Sequence, residues 1–353
     1  MTRGATPPVI APLFDGPIDV VGDVHGEIEP LEALLAQLRY DDTGRHPEGR
    51  RLVFLGDLGD RGPDSPAVIE RVRRLVEAGR AQCLLGNHEL NLLRGESKPG
   101  NRWFIAPSHP EQQPGGEFAH CRVVPEALRA PWLDFFATLP VALERADVRI
   151  VHAAWVPAQI GALRQAAGST LDRYQAFEAQ TLKQLLAEGL MQSARAEEQR
   201  WSRQLHDRYA SVTLLRSVGQ CDERYQMGNP VRVATSGVER LVAAPFWSSG
   251  KWRMCRRVRW WDEYDETVPV VIGHYWRQLA PIRASAHAAA KQEVFASIGP
   301  TEWAGRRHNV YCVDFSIGAR YQERRAGVQA FATHLGAMRW PERELWLETG
   351  QVK

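Results

Sequence analysis

Ile18-Asp19-Val20-Val21-Gly22-Asp23-Val24-His25-Gly26 decides how the rest of this 353-residue chain reads. An apolar run with the composition of a strand stops at a glycine, and a carboxylate and an imidazole follow at once. The same plan recurs along the sequence. Leu52 to Leu55 gives way to Gly56-Asp57-Leu58-Gly59-Asp60-Arg61-Gly62, and Cys83 to Leu85 gives way to Gly86-Asn87-His88-Glu89. Val148 to Val151 ends at His152, and Val268 to Ile272 ends at Gly273-His274. Runs this short and this rich in β-branched residues suit strands buried on both faces. Ligands of open α/β sheets gather at the carboxyl ends of strands, so five exits bearing Asp, Asn and His point to one shared site.

Between the exits the spacing turns helical. Leu31, Leu34, Leu35 and Leu38 recur at helical intervals after Gly26, and Val68, Ile69, Val72, Leu75 and Val76 do so after Pro63 and Pro66. Strand, ligand-bearing turn, helix and strand again make a βαβαβ unit and a largely parallel half-sheet. Gly95 to Ala130 is rich in Pro, Gly, His and Gln without periodicity and reads as a long loop near the mouth of the site. A helix is expected from Trp132 to Leu139. Pro157 to about Ser217 carries weak β signals and helical spacing (Leu171, Tyr174, Phe177; Leu182, Leu185, Leu186), so residues 157–217 are expected to form a helical insert or cap. Beyond Val231 short strands return, at Arg240 to Ala243, Trp252 to Arg259, Val268 to Ile272 and Asn309 to Phe315. The expected fold class is α/β: a layered α/β sandwich with two mixed sheets and flanking helices, residues 1–353 forming a single domain that contains the insert.

Composition narrows the field. Hydrophobic content of 44% and charged content of 24% are those of a globular protein and exclude a disordered one. A formal charge of +2 argues against nucleic acid as a partner through bulk electrostatics, and the basic run Arg253 to Arg259 reads as a solvated strand edge. Cys83, Cys121, Cys221, Cys255 and Cys312 are scattered and odd in number, which suits a reducing cytoplasm better than a disulfide framework. No apolar run approaches membrane-spanning length, so no membrane partner is expected. Trp247, Trp252, Trp260, Trp261, Trp276 and Trp303 are read as core aromatics rather than as platforms for a nucleobase.

The donor types at the exits belong to metal chemistry. A two-metal hydrolytic centre needs hard carboxylate oxygens, imidazole nitrogens and one shared ligand holding the ions about 3.5 to 4 Å apart. A tight turn between Gly22 and Gly26 aims Asp23 and His25 at one ion. Asp57 is the natural bridging carboxylate, and Asn87, His152 and His274 complete the second ion. Mixed oxygen and imidazole donors suit manganese, iron or zinc. His109, His120 and His206 lie in loop or helical text and are read as structural.

The three motifs Gly22 to Gly26, Gly56 to Gly62 and Gly86 to Glu89 resemble the signature of calcineurin-like metallophosphoesterases, in particular the phosphoprotein phosphatase branch of bacterial type. His152, Gly273-His274 and Val313-Asp314-Phe315 extend the match more loosely. The resemblance implies that Asp23, His25 and Asp57 bind the first metal and that Asp57, Asn87, His152 and His274 bind the second, with manganese the commonest metal in bacterial relatives. It implies that His88 is the general acid, that Asp60 orients it, and that Arg61 holds the substrate phosphate. Elementary chemistry agrees: imidazole titrates near neutrality, a carboxylate neighbour favours its protonated form, and a guanidinium grips two phosphate oxygens at once. Glu89 is expected to brace the site and Asp314 to support a neighbouring turn.

The implied reaction is hydrolysis of a phosphomonoester by attack of a metal-bound hydroxide, on a phosphoprotein or a small phosphoester. A dinucleoside polyphosphate such as diadenosine tetraphosphate is the alternative substrate, against which the phosphatase-like Asp60-Arg61-Gly62 run argues mildly. The sequence departs from the family where Ala153-Ala154 follows His152 and where Tyr275-Trp276 follows His274. A second phosphate-gripping arginine is expected among Arg253, Arg257 and Arg259. A metal-bearing scaffold without activity would show a broken donor set, and this one is complete.

Overall fold

The computed structural model describes residues 7–105, 116–248, 250–279, 294–295 and 298–352. Its elements run β1 (Ile10–Pro12), β2 (Ile18–Val21), α1 (Ile28–Gln37), β3 (Arg51–Phe54), α2 (Ser65–Glu77), β4 (Ala81–Cys83), α3 (Asn87–Leu93) and α4 (Glu126–Thr138). They continue β5 (Ala142–Glu144), β6 (Arg149–Val151), α5 (Pro157–Gln165), α6 (Thr170–Ala187), α7 (Leu190–Trp201), α8 (Arg216–Met227), α9 (Pro230–Ser236), β7 (Glu239–Ser248) and β8 (Lys251–Arg257). The chain closes with β9 (Val270–Ile272), β10 (Val310–Cys312), β11 (Asp314–Phe315), β12 (His334–Trp340), β13 (Glu344–Leu347) and β14 (Gly350–Val352).

Two sheets face each other. One has the order β14-β13-β12-β2-β3-β4, with β11 paired to β12; the other has the order β1-β5-β6-β9-β10. Strands β2, β3 and β4 are parallel, as short strand-helix-strand links require, while β12 joins β2 antiparallel. Alternation along each strand divides the labour. Ile18, Val20 and Val53 pack inward with Ile150, Val271 and Tyr311 of the opposite sheet, forming the layer between the sheets. Val21, Leu52 and Phe54 turn outward onto Leu31, Leu34, Val68 and Val72 of α1 and α2. The mixed, layered α/β architecture read from the sequence is therefore the observed one.

Helices fill the stretch from Pro157 to Trp201, and α8 and α9 continue them to Ser236, just short of the strand expected at Arg240. Val231 and Val233 are β-branched, yet Asn229 caps the following turn through its side chain and Pro230 sits at its first position, so α9 forms. Leu185, Ala194, Leu205, Val218 and Met254 give this region a small core of its own, which packs α6, α7 and α8 against β8. Helix α9 lies against α3, α5 and α6 and so joins that region to the exit of β4.

The stretch Gly95 to Ala130 is less of a loop than its composition suggests. Trp103, Phe104 and Phe118 are buried in the main core, and α4 begins at Glu126 rather than Trp132, running through Pro131. That proline lies early in the helix, where its missing N–H removes only one bond of the ladder. His109 lies outside the described residues. Strands β12 to β14 were not foreseen: β12 is placed by pairing with β2, a contact between the two ends of the chain that periodicity cannot show. A buried ion cluster locks that pairing, in which Asp19 on β2 accepts from Arg339 on β12 at 3.0 Å, from Arg50, and from the Tyr40 hydroxyl at 2.9 Å.

Candidate metal centre

All five exits open onto one place. The imidazole Nε2 atoms of His25, His88 and His152 lie 3.9, 3.8 and 3.4 Å from the same Asp57 Oδ2. Donor atoms of His25, Asp57 and His88 fall within 4.8 Å of one another, and so do those of Asp57, His152 and His274, so Asp57 is common to two candidate metal-holding groups. Asp23 Oδ2 stands 4.0 Å from His25 Nε2, and Asn87 Oδ1 stands 3.3 Å from His152 Nε2. The six residues expected to hold metal are thus brought together, with His88 beside the first group.

The backbone is bent hard to achieve this. His25, Asp57, Asp60, Arg61, His274 and Trp276 all have positive φ, between 39° and 72°, a region that side chains disfavour. Surrounding contacts hold them there. Glu89, buried one turn into α3, accepts from the backbone N–H of Asp57 and Leu58 at 2.8 Å each and from Gly86 at 3.1 Å, tying the β3 exit to the β4 exit. Asp314 accepts from the N–H of Trp276 at 3.1 Å and of Ser316 at 2.9 Å, which fixes the turn after His274. Glycine is obligatory at Gly318, where an added Cβ would stand 2.4 Å from the His25 ring and 2.8 Å from the Arg61 guanidinium.

Hydrogen bonds also set which imidazole nitrogen faces the centre. His25 Nδ1 donates to the Gly59 carbonyl at 3.0 Å and His152 Nδ1 donates to the Leu55 carbonyl at 2.7 Å, leaving both Nε2 atoms turned inward. His88 is held differently. Its Nδ1 meets the Asp60 carboxylate at close range; that carboxylate in turn accepts from the Trp103 indole at 2.6 Å, and the Asp60 backbone N–H donates to Ser65 Oγ at 3.0 Å. The Arg61 guanidinium lies over the Trp276 ring, 5.0 Å from its centroid, and reaches to 3.3 Å from His88 Nε2.

The charges concentrated here are out of balance in the protein alone. Burial, then the carboxylates of Asp314 and Asp57, push the Asp23 carboxyl well up. Burial would also raise Asp57, but the His152 and His88 imidazoles overcome it and hold the carboxyl well below the usual range. Against its own burial, His152 is pushed up to about 10 by Asp57 and Asp23. Burial lowers His25 and His274, aided by Arg61 and Arg257 respectively, and burial with the Asp57 charge raises Glu89 to about 6. His274 Nε2 is buried with no hydrogen-bond partner among the described residues. An orphaned imidazole nitrogen beside a crowd of carboxylates is what a divalent cation satisfies, so the residues present fit a metal pair.

A model of the calcineurin-like phosphoesterase family matches residues 16–207, more than half of the sequence. The chain belongs to that family. Among curated proteins it is 48% identical over 80 residues to an asymmetrical bis(5'-nucleosyl)-tetraphosphatase of Oceanobacillus iheyensis, covering 22% of this chain and 32% of that one. It is 42% identical over 89 residues to a symmetrical bis(5'-nucleosyl)-tetraphosphatase of Ralstonia nicotianae, covering 24% of this chain and 29% of the relative. The matched segments thus span about a third of those relatives. A crystal structure of a cold-active protein-tyrosine phosphatase from a psychrophilic Shewanella species aligns over 96% of this chain and 79% of its own, with 15% identity and a TM-score of 0.43.

Some residues that shape the centre were not read from the sequence. Trp103 lies in the stretch taken for a loop, and its role depends on a contact across 43 positions. His120, read as structural, has its Nε2 2.9 Å from the Arg61 carbonyl, to which it donates. Of the three arginines considered, Arg253 donates to the Ser248 carbonyl and Arg259 pairs with Asp262 at 3.0 Å, while the charge of Arg257 acts on His274 and Tyr275. Among the described residues no helix is long and apolar enough to cross a membrane.

Proposed function

We propose that this chain hydrolyses phosphoesters at a dinuclear metal centre. The observation that carries the reading is the single carboxylate, Asp57, shared between two groups of donors with the His88–Asp60 pair beside it. Asp23, His25 and Asp57 would hold one cation, and Asp57, Asn87, His152 and His274 the other. When bound, such a pair neutralises charge on the reacting phosphoryl group and makes a water nucleophilic near neutral pH.

The remaining work falls to the side chains. His88 donates a proton to the departing oxygen, and Asp60, itself fixed by the Trp103 indole, keeps that imidazole aimed. Arg61 grips the phosphoryl oxygens, with Trp276 stacked beneath it to limit its motion. Arg257 is the better placed of the candidate second arginines, because its field already reaches His274. Manganese is the metal proposed, and phosphomonoesters are the first substrate reading.

A second reading has an observation of its own. The curated relatives that match the motif-bearing segment are named as dinucleoside tetraphosphatases, which favours a phosphoanhydride substrate. The deciding experiment is a panel of aryl phosphate, phosphopeptide and dinucleoside tetraphosphate offered to manganese-loaded protein and to a metal-stripped control. Hydrolysis restricted to the loaded protein supports the proposal, and the preferred substrate separates the two readings. Loaded protein inert toward all three would defeat it.

A further inference from the structure

Asn87, Asn91 and Arg94 recur at intervals of four and three along α3 and its C-cap, so they share one face of the helix. Side chains of an α-helix lean toward its N-terminus, which tilts Arg94 back toward Asn87 and the candidate metal centre. That face borders a cavity of about 100 Å³ whose wall also includes Lys98, Tyr174 and Arg232. The α3 wall therefore carries a candidate metal donor and the Arg94 guanidinium, and the rest of the lining adds the Arg232 guanidinium and the Lys98 ammonium group.

The cations in this cavity are incompletely neutralised. Glu96 serves both Arg94, at 2.7 Å, and Lys98, at 3.2 Å, while Glu178 serves both Arg232, at 2.7 Å, and Arg94, at 3.5 Å. Three cations share two carboxylates, leaving one positive charge in excess. The Nε–H of Arg232 is buried and has no partner among the described residues. Both guanidinium groups flank one ring, with Arg94 at 4.2 Å and Arg232 at 5.1 Å from the centroid of Tyr174, so their planes are pre-set rather than free to wander. Guanidinium groups that are already largely desolvated, and ordered by a ring and by split carboxylates, meet an anion with little further ordering cost.

We propose that this cavity is a second anion subsite, which receives a distal phosphate of a polyphosphate chain whose scissile phosphoryl group lies at Asp57 and Asn87. Arg94 sits seven positions beyond Asn87, a rise of about 10 Å along the helix, so the subsite suits a chain of several phosphates rather than a lone monoester. Tyr174 and Arg232 come from α6 and α9, which gives the helical region a part in choosing the substrate. The inference rests on reading the metal centre as a phosphoryl-hydrolysing site, and it favours the phosphoanhydride reading of its substrate.

The test separates the subsite from the chemistry. Calorimetric titration of the metal-free protein with inorganic tripolyphosphate and with orthophosphate gives a ratio of affinities that does not depend on turnover. Replacing Arg232 by Met, which keeps the apolar stem on Tyr174, or Lys98 by Met, which is more exposed, should cut that ratio by about tenfold, the loss of one charged hydrogen bond. The ratio of kcat/KM for dinucleoside tetraphosphate over aryl phosphate should fall in parallel once manganese is restored. An unchanged affinity ratio in both variants would overturn the subsite even if the loaded enzyme is active, and so would a loss seen only with phosphopeptides bearing acidic neighbours. Wild-type protein inert toward every ester, with variant-sensitive tripolyphosphate binding retained, would leave the subsite standing and remove the hydrolytic reading instead.

Discussion

Replacing Glu89 by Gln changes one atom at the bottom of the centre, and the structure says what that atom holds. Oε2 accepts from the N–H groups of Asp57 and Gly86, and Oε1 accepts from that of Leu58. A glutamine has one acceptor oxygen. Whichever way its amide turns, at least one buried backbone N–H faces an NH2 group and loses its partner, at a cost of about 1–3 kcal/mol. Asp57 is the residue most exposed to that loss, because its positive φ persists only while its surroundings enforce it. The energy divides between global stability and the placing of the shared carboxylate, so manganese affinity should fall by about 10- to 100-fold, as for other lost supports of metal ligands. Titration of metal-free wild type and variant with manganese, alongside thermal melts of both metal-free proteins, measures the two shares. An affinity within twofold of wild type in a variant that melts normally would refute the argument that Glu89 positions Asp57.

Three further outcomes follow from particular contacts. Trp103→Phe removes the indole N–H that Asp60 accepts, so kcat toward an aryl phosphate should fall by about tenfold with KM nearly constant; steady-state kinetics of both proteins check it. His152 is raised to about 10 in the metal-free protein, so its proton stabilises the fold below the ordinary imidazole range and that contribution fades as pH rises through 10. A cation must displace this proton at pH 7, so manganese affinity should climb by about tenfold per pH unit through neutrality, with proton release visible as buffer-dependent binding enthalpy in calorimetry. Asp19→Asn takes the carboxylate from Arg339 and leaves Arg50 with Glu342 alone at the β2–β12 seam, and should lower stability by about 3–5 kcal/mol in urea unfolding.

What could be read from the sequence depended on how local the signal was. Asp23, His25, Asp57, Asn87 and His88 each follow a short strand within a glycine-bearing turn, so strand pattern and donor chemistry coincide in the same few letters. His152 and His274 rest on single residues, yet each follows a clear β-branched run. The parallel β2-β3-β4 unit was legible because its helices carry unbroken apolar stripes. Strand β12 was not, because its place is defined by Asp19 and Arg339 meeting across 320 positions. Nor was Trp103, whose neighbours read as loop and whose purpose is a bond to Asp60. Helix α9 went unassigned because the β-branched Val231 and Val233 carry no helical stripe, while the Asn229 cap and Pro230 set it. The cavity along α3 was hidden for the same reason: Arg94 and Arg232 gain meaning only when Tyr174 comes between them.

The backbone N–H of His274 donates to both carboxylate oxygens of Asp23, at 3.2 Å each, across 251 positions of sequence. Asp23 leaves one sheet and His274 leaves the other. Any cation held from both sides therefore acts as a rivet through the sandwich, present only when the two halves have already closed. Loading it would strengthen the whole molecule by mass action, about 4 kcal/mol at a thousandfold excess over its dissociation constant, so occupancy doubles as a gauge of complete folding. Scavenging the ion would then do more than silence a reaction: it would loosen the seam that makes the enzyme one object.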